Sequence, residues 1–127
     1  SRSPAPPSGP SAQVFGLDDS QATRAALRFF KERRVPVAYV DLRRRAIAPG
    51  ELRRFVERLG ARSLFDSGGR AYREAGLAHL PMDDAEIVAR LLADHRLLRL
   101  PLVRFGNAVT AGRDEATWKA WLAAPER

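Results

Sequence analysis

The chain contains no cysteine. That absence excludes disulfides, a thiolate nucleophile and any thiolate-bound metal. Histidine is nearly absent as well. His79 and His95 are too few and too scattered for a zinc site, and each reads as a surface or helix-end residue, so no metal is expected. No apolar run approaches the roughly 18 residues that a membrane-crossing helix needs. The opening SRSPAPPSGPSAQ has no apolar stretch of the kind a secretory signal carries, and its Pro, Ser and Gly content reads as a flexible leader over residues 1–11. A cytoplasmic location is the expectation. Lysine is scarce too: twenty of the 22 basic residues are arginine.

What is present fits one domain over residues 12–127, with 45% apolar residues and room for a modest core. The formal charge of +7 is unevenly placed: Arg24 to Arg73 holds fourteen basic residues against five acidic ones, a net of +9. A basic half attracts acidic proteins or nucleic acid, and its plainest reading is a solvated, arginine-rich surface. Aromatic residues do not interleave the arginines and no helix-turn-helix pattern is visible, so nucleic acid is a disfavoured partner.

The order of elements is legible. AQVFGL (residues 12–17) reads as a buried strand. Ser20 then fits a helix N-cap, and Ala22, Ala26, Phe29, Phe30 and Arg33 follow at helical spacing, with Ala25 and Leu27 broadening the apolar side. KERR (residues 31–34) puts positive charge at that helix's C-terminus, where the macrodipole favours it. VPVAYVDL (residues 35–42) reads as a second strand, parallel to the first. From Arg43 to Arg96 no strand pattern appears. Helices are expected from Pro49 to Gly60, on either side of Gly68–Gly69, and after an Asp83 or Asp84 cap. LVRF, the Gly106–Asn107 turn and AVTA then read as a hairpin, and DEATWKAWLAA as a last helix capped by Asp114. Residues 12–42 and 97–127 thus have the layout of a thioredoxin-like α/β (α+β) domain, β-α-β then β-β-α, with a helical insertion at residues 43–96.

Three stretches together resemble the arsenate reductase and Spx-type regulator family: VFGLDDSQATRAALRFFKERRVPVAYVDLR, PGELRRFVERLGARSLFDSGGRAYREAGL and LLADHRLLRLPLVRFGNAVTAGRDEATW. The resemblance implies a thioredoxin-like fold with Pro101 at the family's cis-proline position. It implies that Ser20 stands where family enzymes hold the cysteine that attacks arsenate, their adduct being reduced with glutathione and glutaredoxin. It also implies that Ser20 and Thr23 occupy the two cysteine positions of the regulators' CxxC switch. Two arginines of the family enzymes are missing as well: Leu100 stands before the proline, and Ala111 or Gly112 stands late in the hairpin.

A serine hydroxyl cannot replace that thiol. It needs a neighbouring base to become a nucleophile, and it forms none of the sulfur bonds that reduction uses. Asp18 and Asp19 place negative charge beside the turn, where arsenate would be repelled. Catalytic residues are therefore not expected. The orphan N–H groups of the helix start could still hold an anion, with Ser20, Thr23, Arg24, Arg99, Pro101 and Arg113 as candidates; the plainer reading is that Ser20 only caps its helix. The leading expectation is a non-catalytic binding or regulatory module without a cofactor. Its partner would be a protein, RNA polymerase on the Spx resemblance, met through Arg43, Arg44 and Arg45. The alternative is an oxidoreductase of arsenate reductase type that uses external glutathione held at Ser20 and the Pro101 edge.

Overall fold

A computed structural model describes residues 11–123. The expected leader, apart from Ser11, and residues 124–127 lie outside the described residues. Four strands form one sheet: β1 (Ala12–Gly16), β2 (Val37–Asp41), β3 (Leu102–Phe105) and β4 (Ala108–Ala111), in the order β2-β1-β3-β4. β2 runs parallel to β1, whereas β3 is antiparallel to both β1 and β4. Five helices accompany the sheet: α1 (Gln21–Glu32), α2 (Pro49–Leu59), α3 (Arg70–Glu74), α4 (Asp84–Ala93) and α5 (Glu115–Ala123). Between β2 and β3 lie α2, α3 and α4, with single 3-10 turns at Arg62–Leu64 and His95–Leu97.

Strand alternation divides the interior into two layers. Val14 faces Val103 across the ladder, and Phe15 faces Leu102. The valines join Ala26, Phe29, Phe30 and Trp118, so α1 and α5 cover one side of the sheet. Phe15 and Leu102 join Leu52, Phe55, Leu64, Leu77, Ile87 and Leu91, so the helices between β2 and β3 cover the other. Trp118 packs its ring 5.6 Å from Phe29 and 5.7 Å from Phe30, and its indole N–H donates to the Thr110 hydroxyl at 2.9 Å, leaving no buried polar atom orphaned there.

Caps set the helix ends. Asp83 accepts from the Glu86 N–H and Glu86 accepts from the Asp83 N–H, a reciprocal box at the start of α4. Asp114 accepts from the Thr117 N–H at the start of α5. α1 ends in a Schellman motif: Val35 N–H reaches the Phe30 carbonyl and Arg34 N–H the Lys31 carbonyl. The left-handed residue there is Arg34, with φ 59°, in a position that favours glycine. This motif also explains why the second strand starts at Val37 rather than at the expected Val35: the Val35 amide is already closing the helix.

The hairpin turn is Gly106–Asn107, with Phe105 paired to Ala108. Positive φ at Gly106 alone (63°) matches a turn that needs glycine at its first central position. The Leu100–Pro101 bond is cis, as the family resemblance implied.

Candidate functional site

The register gathers the candidate residues at one end of the sheet. Gly16 pairs with Asp41, Phe15 with Leu102, and Leu102 with Ala111. The turn after β1, the turn after β2, the approach to β3 and the exit from β4 therefore meet there. Residues 17–20, 42–45, 99–101 and 112–113 belong to these four connections. His79 and His95 lie in the helical stretch between β2 and β3.

Ser20 is the N-cap of α1, with extended backbone (φ −82°, ψ 121°), and its hydroxyl accepts from the Thr23 N–H at 3.1 Å. No histidine or carboxylate among the described residues hydrogen-bonds to it, so nothing is placed to act as its base. Thr23 is fully buried, and its hydroxyl accepts from the Leu17 N–H at 3.4 Å. Its side chain fills the space that a Cβ at residue 16 would need, which is the reason for Gly16 at the end of β1. Burial takes Thr23 out of reach of a ligand and makes it a clamp between strand end and helix start.

The acidic turn is satisfied from within. Tyr39 on β2 donates its phenolic O–H to Asp18 at 2.8 Å, and Arg43 donates to Asp19 at 2.7 Å. The hydrogen bond from Arg43, with its charge, holds the Asp19 carboxyl below the usual carboxylate range, and the charge of Arg24 adds to this. Burial, then the bond to Asp18, pushes the Tyr39 phenol well above its ordinary value. Asp18 and Asp19 stand beside the turn, and the parallel register also brings Tyr39 and Arg43 beside them.

All three arginines expected to form a partner surface pair with a carboxylate, two of them closely. Arg43 pairs with Asp19, and Arg45 makes a two-pronged pair with Glu51, both contacts 3.0 Å. Glu51 also accepts from the Ala48 N–H at the start of α2, and its carboxyl is held low chiefly by the bond from Arg45. Arg44 is the most exposed of the three, its side chain 88% exposed, and its pair with Asp41 is the loosest, at 3.8 Å. A shallow depression of about 460 Å³ lies here, walled by Asp18, Tyr39, Val40, Asp41, Arg44 and Arg45.

The remaining candidates differ in the same way. Arg113 pairs with Glu115 at 2.6 Å. Arg24 and Arg99 are exposed and make no ion pair among the described residues. The Arg99 stem lies over Gly112, and Pro101 is buried with its carbonyl accepting from the Gly112 N–H. Leu100, partly buried, offers no charge in front of the proline. Among the described residues no group of three His, Asp or Glu side chains could hold a metal. Nor is any described helix long and apolar enough to cross a membrane. Sequence reasoning missed Tyr39 and Glu51; the signal for Glu51 was its place three residues after Ala48, at the N-terminal turn of a helix.

The ArsC family profile matches residues 15–121. The chain belongs to the ArsC family. Its fold is thioredoxin-like, and solved structures agree with it over nearly the whole chain. The YffB protein superimposes with a TM-score of 0.79 at 22% identity, covering 89% of this chain and 100% of its own. An arsenate reductase from Vibrio cholerae gives 0.75 at 17% identity, covering 86% and 95%. A protein from Staphylococcus aureus gives 0.76 at 25% identity, covering 88% and 99%. No curated protein matches the sequence. The chain is thus ArsC-like in fold and carries no cysteine.

Proposed function

We propose that this ArsC-family chain is a non-catalytic binding module, acting in the cytoplasm on a protein partner. One observation carries the reading: the residue at the strand-to-helix turn is a serine whose hydroxyl accepts from the Thr23 amide, in a chain with no cysteine anywhere. A cysteine there would have its thiolate stabilised by the helix start and could be oxidised and reduced. The serine caps the helix and takes part in no electron transfer. The flanking acids, tied to Tyr39 and Arg43, make the turn an acidic surface feature rather than an open anion cradle.

The resemblance to Spx-type regulators makes RNA polymerase the candidate partner. Arg44 and Arg24 support a contact at this end of the sheet: both are exposed, Arg24 makes no ion pair among the described residues, and Arg44 holds Asp41 only loosely, at 3.8 Å. Binding of the purified chain to purified RNA polymerase, read by interferometry at low and moderate salt, tests this. The expected result is saturable binding that weakens about tenfold in Arg44→Glu, the scale of one lost and one reversed charge contact at an interface. Absence of binding at both salt concentrations removes RNA polymerase as the partner. The glutathione-dependent alternative predicts shifts at Ser20 and Arg99 on titration with glutathione; their absence removes it.

A further inference from the structure

At the opposite end of the sheet lies a feature the first site does not use. The β3–β4 turn and the outer face of α2 enclose a polar cleft of about 410 Å³. Arg54 and Arg58 line it from α2, Arg104 and Val109 from the hairpin strands, and Gly106 and Asn107 from the turn. Glu57 is its one carboxylate, leaving a net charge of +2 in the wall. None of the seven ion pairs among the described residues involves any of these four charged side chains. Arg104 Nε donates to the Gly106 carbonyl at 3.1 Å, which fixes the guanidinium plane while its two terminal nitrogens stay free.

The arrangement sets like charges side by side. Arg54 and Arg58 are four residues apart on one helix face, a like-charge spacing that destabilises a helix. Glu57 is adjacent in sequence to Arg58 but bonds to neither arginine. Guanidinium groups converging on a concave surface suit an oxyanion with several acceptor atoms, because each planar fork can give two parallel hydrogen bonds. Two net positive charges match a dianion better than a single carboxylate. The volume admits a small organic group beside it, and Glu57 can accept from a hydroxyl on that group. Val109 is the one apolar side chain in a wall otherwise polar, which suits a polar ligand better than an apolar one.

We propose that this cleft is an anion site for a small phosphate monoester bearing a neighbouring hydroxyl, separate from the Ser20 end. The test is titration of the full-length, isotope-labelled chain with inorganic phosphate and with ribose 5-phosphate at constant ionic strength, read by NMR. Expected are saturable shifts of the Gly106 and Asn107 amides and the Arg104 Nε–H, with ribose 5-phosphate the tighter of the two. The double variant Arg54→Gln/Arg58→Gln should bind at least about tenfold more weakly, whereas Arg90→Gln, on α4 and outside the cleft, should bind as the parent does. A short single-stranded RNA is the competing probe. The proposal is overturned if the shifts do not saturate, if the double variant binds like the parent, if Arg90→Gln weakens binding as much, or if the RNA displaces ribose 5-phosphate at lower concentration.

Discussion

The two ends of the sheet handle charge in opposite ways. At the Ser20 end, Asp19 is matched by Arg43, Glu51 by Arg45, Glu115 by Arg113, and Asp18 by the Tyr39 phenol. At the hairpin end, Arg54, Arg58 and Arg104 converge without a carboxylate partner among the described residues. The ArsC fold alone would direct attention to the first end, where the family resemblance places its cysteine chemistry. The charge map directs it to the second. A scaffold can keep the backbone geometry of a reactive turn while neighbouring side chains take up the turn's carboxylates, and its cluster of three unpaired arginines then stands at the other end.

Gly16 and Gly106, at opposite ends, are needed for different reasons. Gly16 is needed for space, since a Cβ there would overlap the Thr23 side chain. Gly16→Ala should therefore cost about 1–3 kcal/mol, the scale of overpacking a filled interior, read as a lowered denaturant midpoint. Thr23 is fully buried and ties strand end to helix start, so this is the largest of the expected effects. Gly106 is needed for its backbone angle, and no neighbour crowds it. Gly106→Ala should cost about 1–2 kcal/mol, the penalty of an L-residue in left-handed backbone. If the two substitutions cost the same as alanine at the uncrowded Gly68, the distinction between the ends fails.

The next effect concerns the cap. Ser20→Ala removes the oxygen that the Thr23 amide uses and should lower stability by about 1 kcal/mol. Gly at the same position should recover most of the loss, because glycine is tolerated at an N-cap. At the other terminus of α1, Arg34→Gly should raise stability by up to about 1 kcal/mol by relieving the left-handed backbone at the Schellman position.

The smallest effects are electrostatic and pH-dependent. The folded-state pKa of Asp19 lies below its unfolded value, so its pairing with Arg43 stabilises the fold above the ordinary carboxylate range. That contribution is lost as pH falls through the depressed value. Glu51, paired with Arg45, and Asp94, paired with Arg96, follow the same sign. In Arg43→Ala the Asp19 carboxyl should titrate at higher pH, visible by NMR, while Glu51 keeps its position. Because Asp19 and Arg43 are both exposed, the change in overall stability should be small. A concerted shift of both carboxyls would show that the end behaves as one network rather than as separate pairs.

Much of this architecture could be read from the residues. Ser20 before an apolar 3.6-residue rhythm, Asp83 before Ile87 and Leu91, and Gly106–Asn107 between two short apolar runs are local signals, and each formed the element expected of it. The strand boundaries slipped where an amide had another partner: Val35 closes the Schellman motif, and Leu17 donates to Thr23. The site was less legible because it is made of distant pairs. Tyr39 and Asp18 are 21 residues apart, and Arg43 and Asp19 are 24 apart. Only the parallel register of β1 and β2 brings them together. The hairpin-end cleft was hidden for the same reason, since Arg104 meets Arg54 and Arg58 only once α2 is laid across β4.

The central claim is that this ArsC-family chain holds partners but transfers no electrons, because serine stands at the turn where the resemblance places cysteine. Its most direct test is the untagged, purified chain incubated with arsenate, glutathione, glutaredoxin and their reductase, with arsenite measured. The account predicts no arsenite above the same mixture lacking the chain. Arsenite formed in proportion to the chain, and lost in Ser20→Ala, would contradict it.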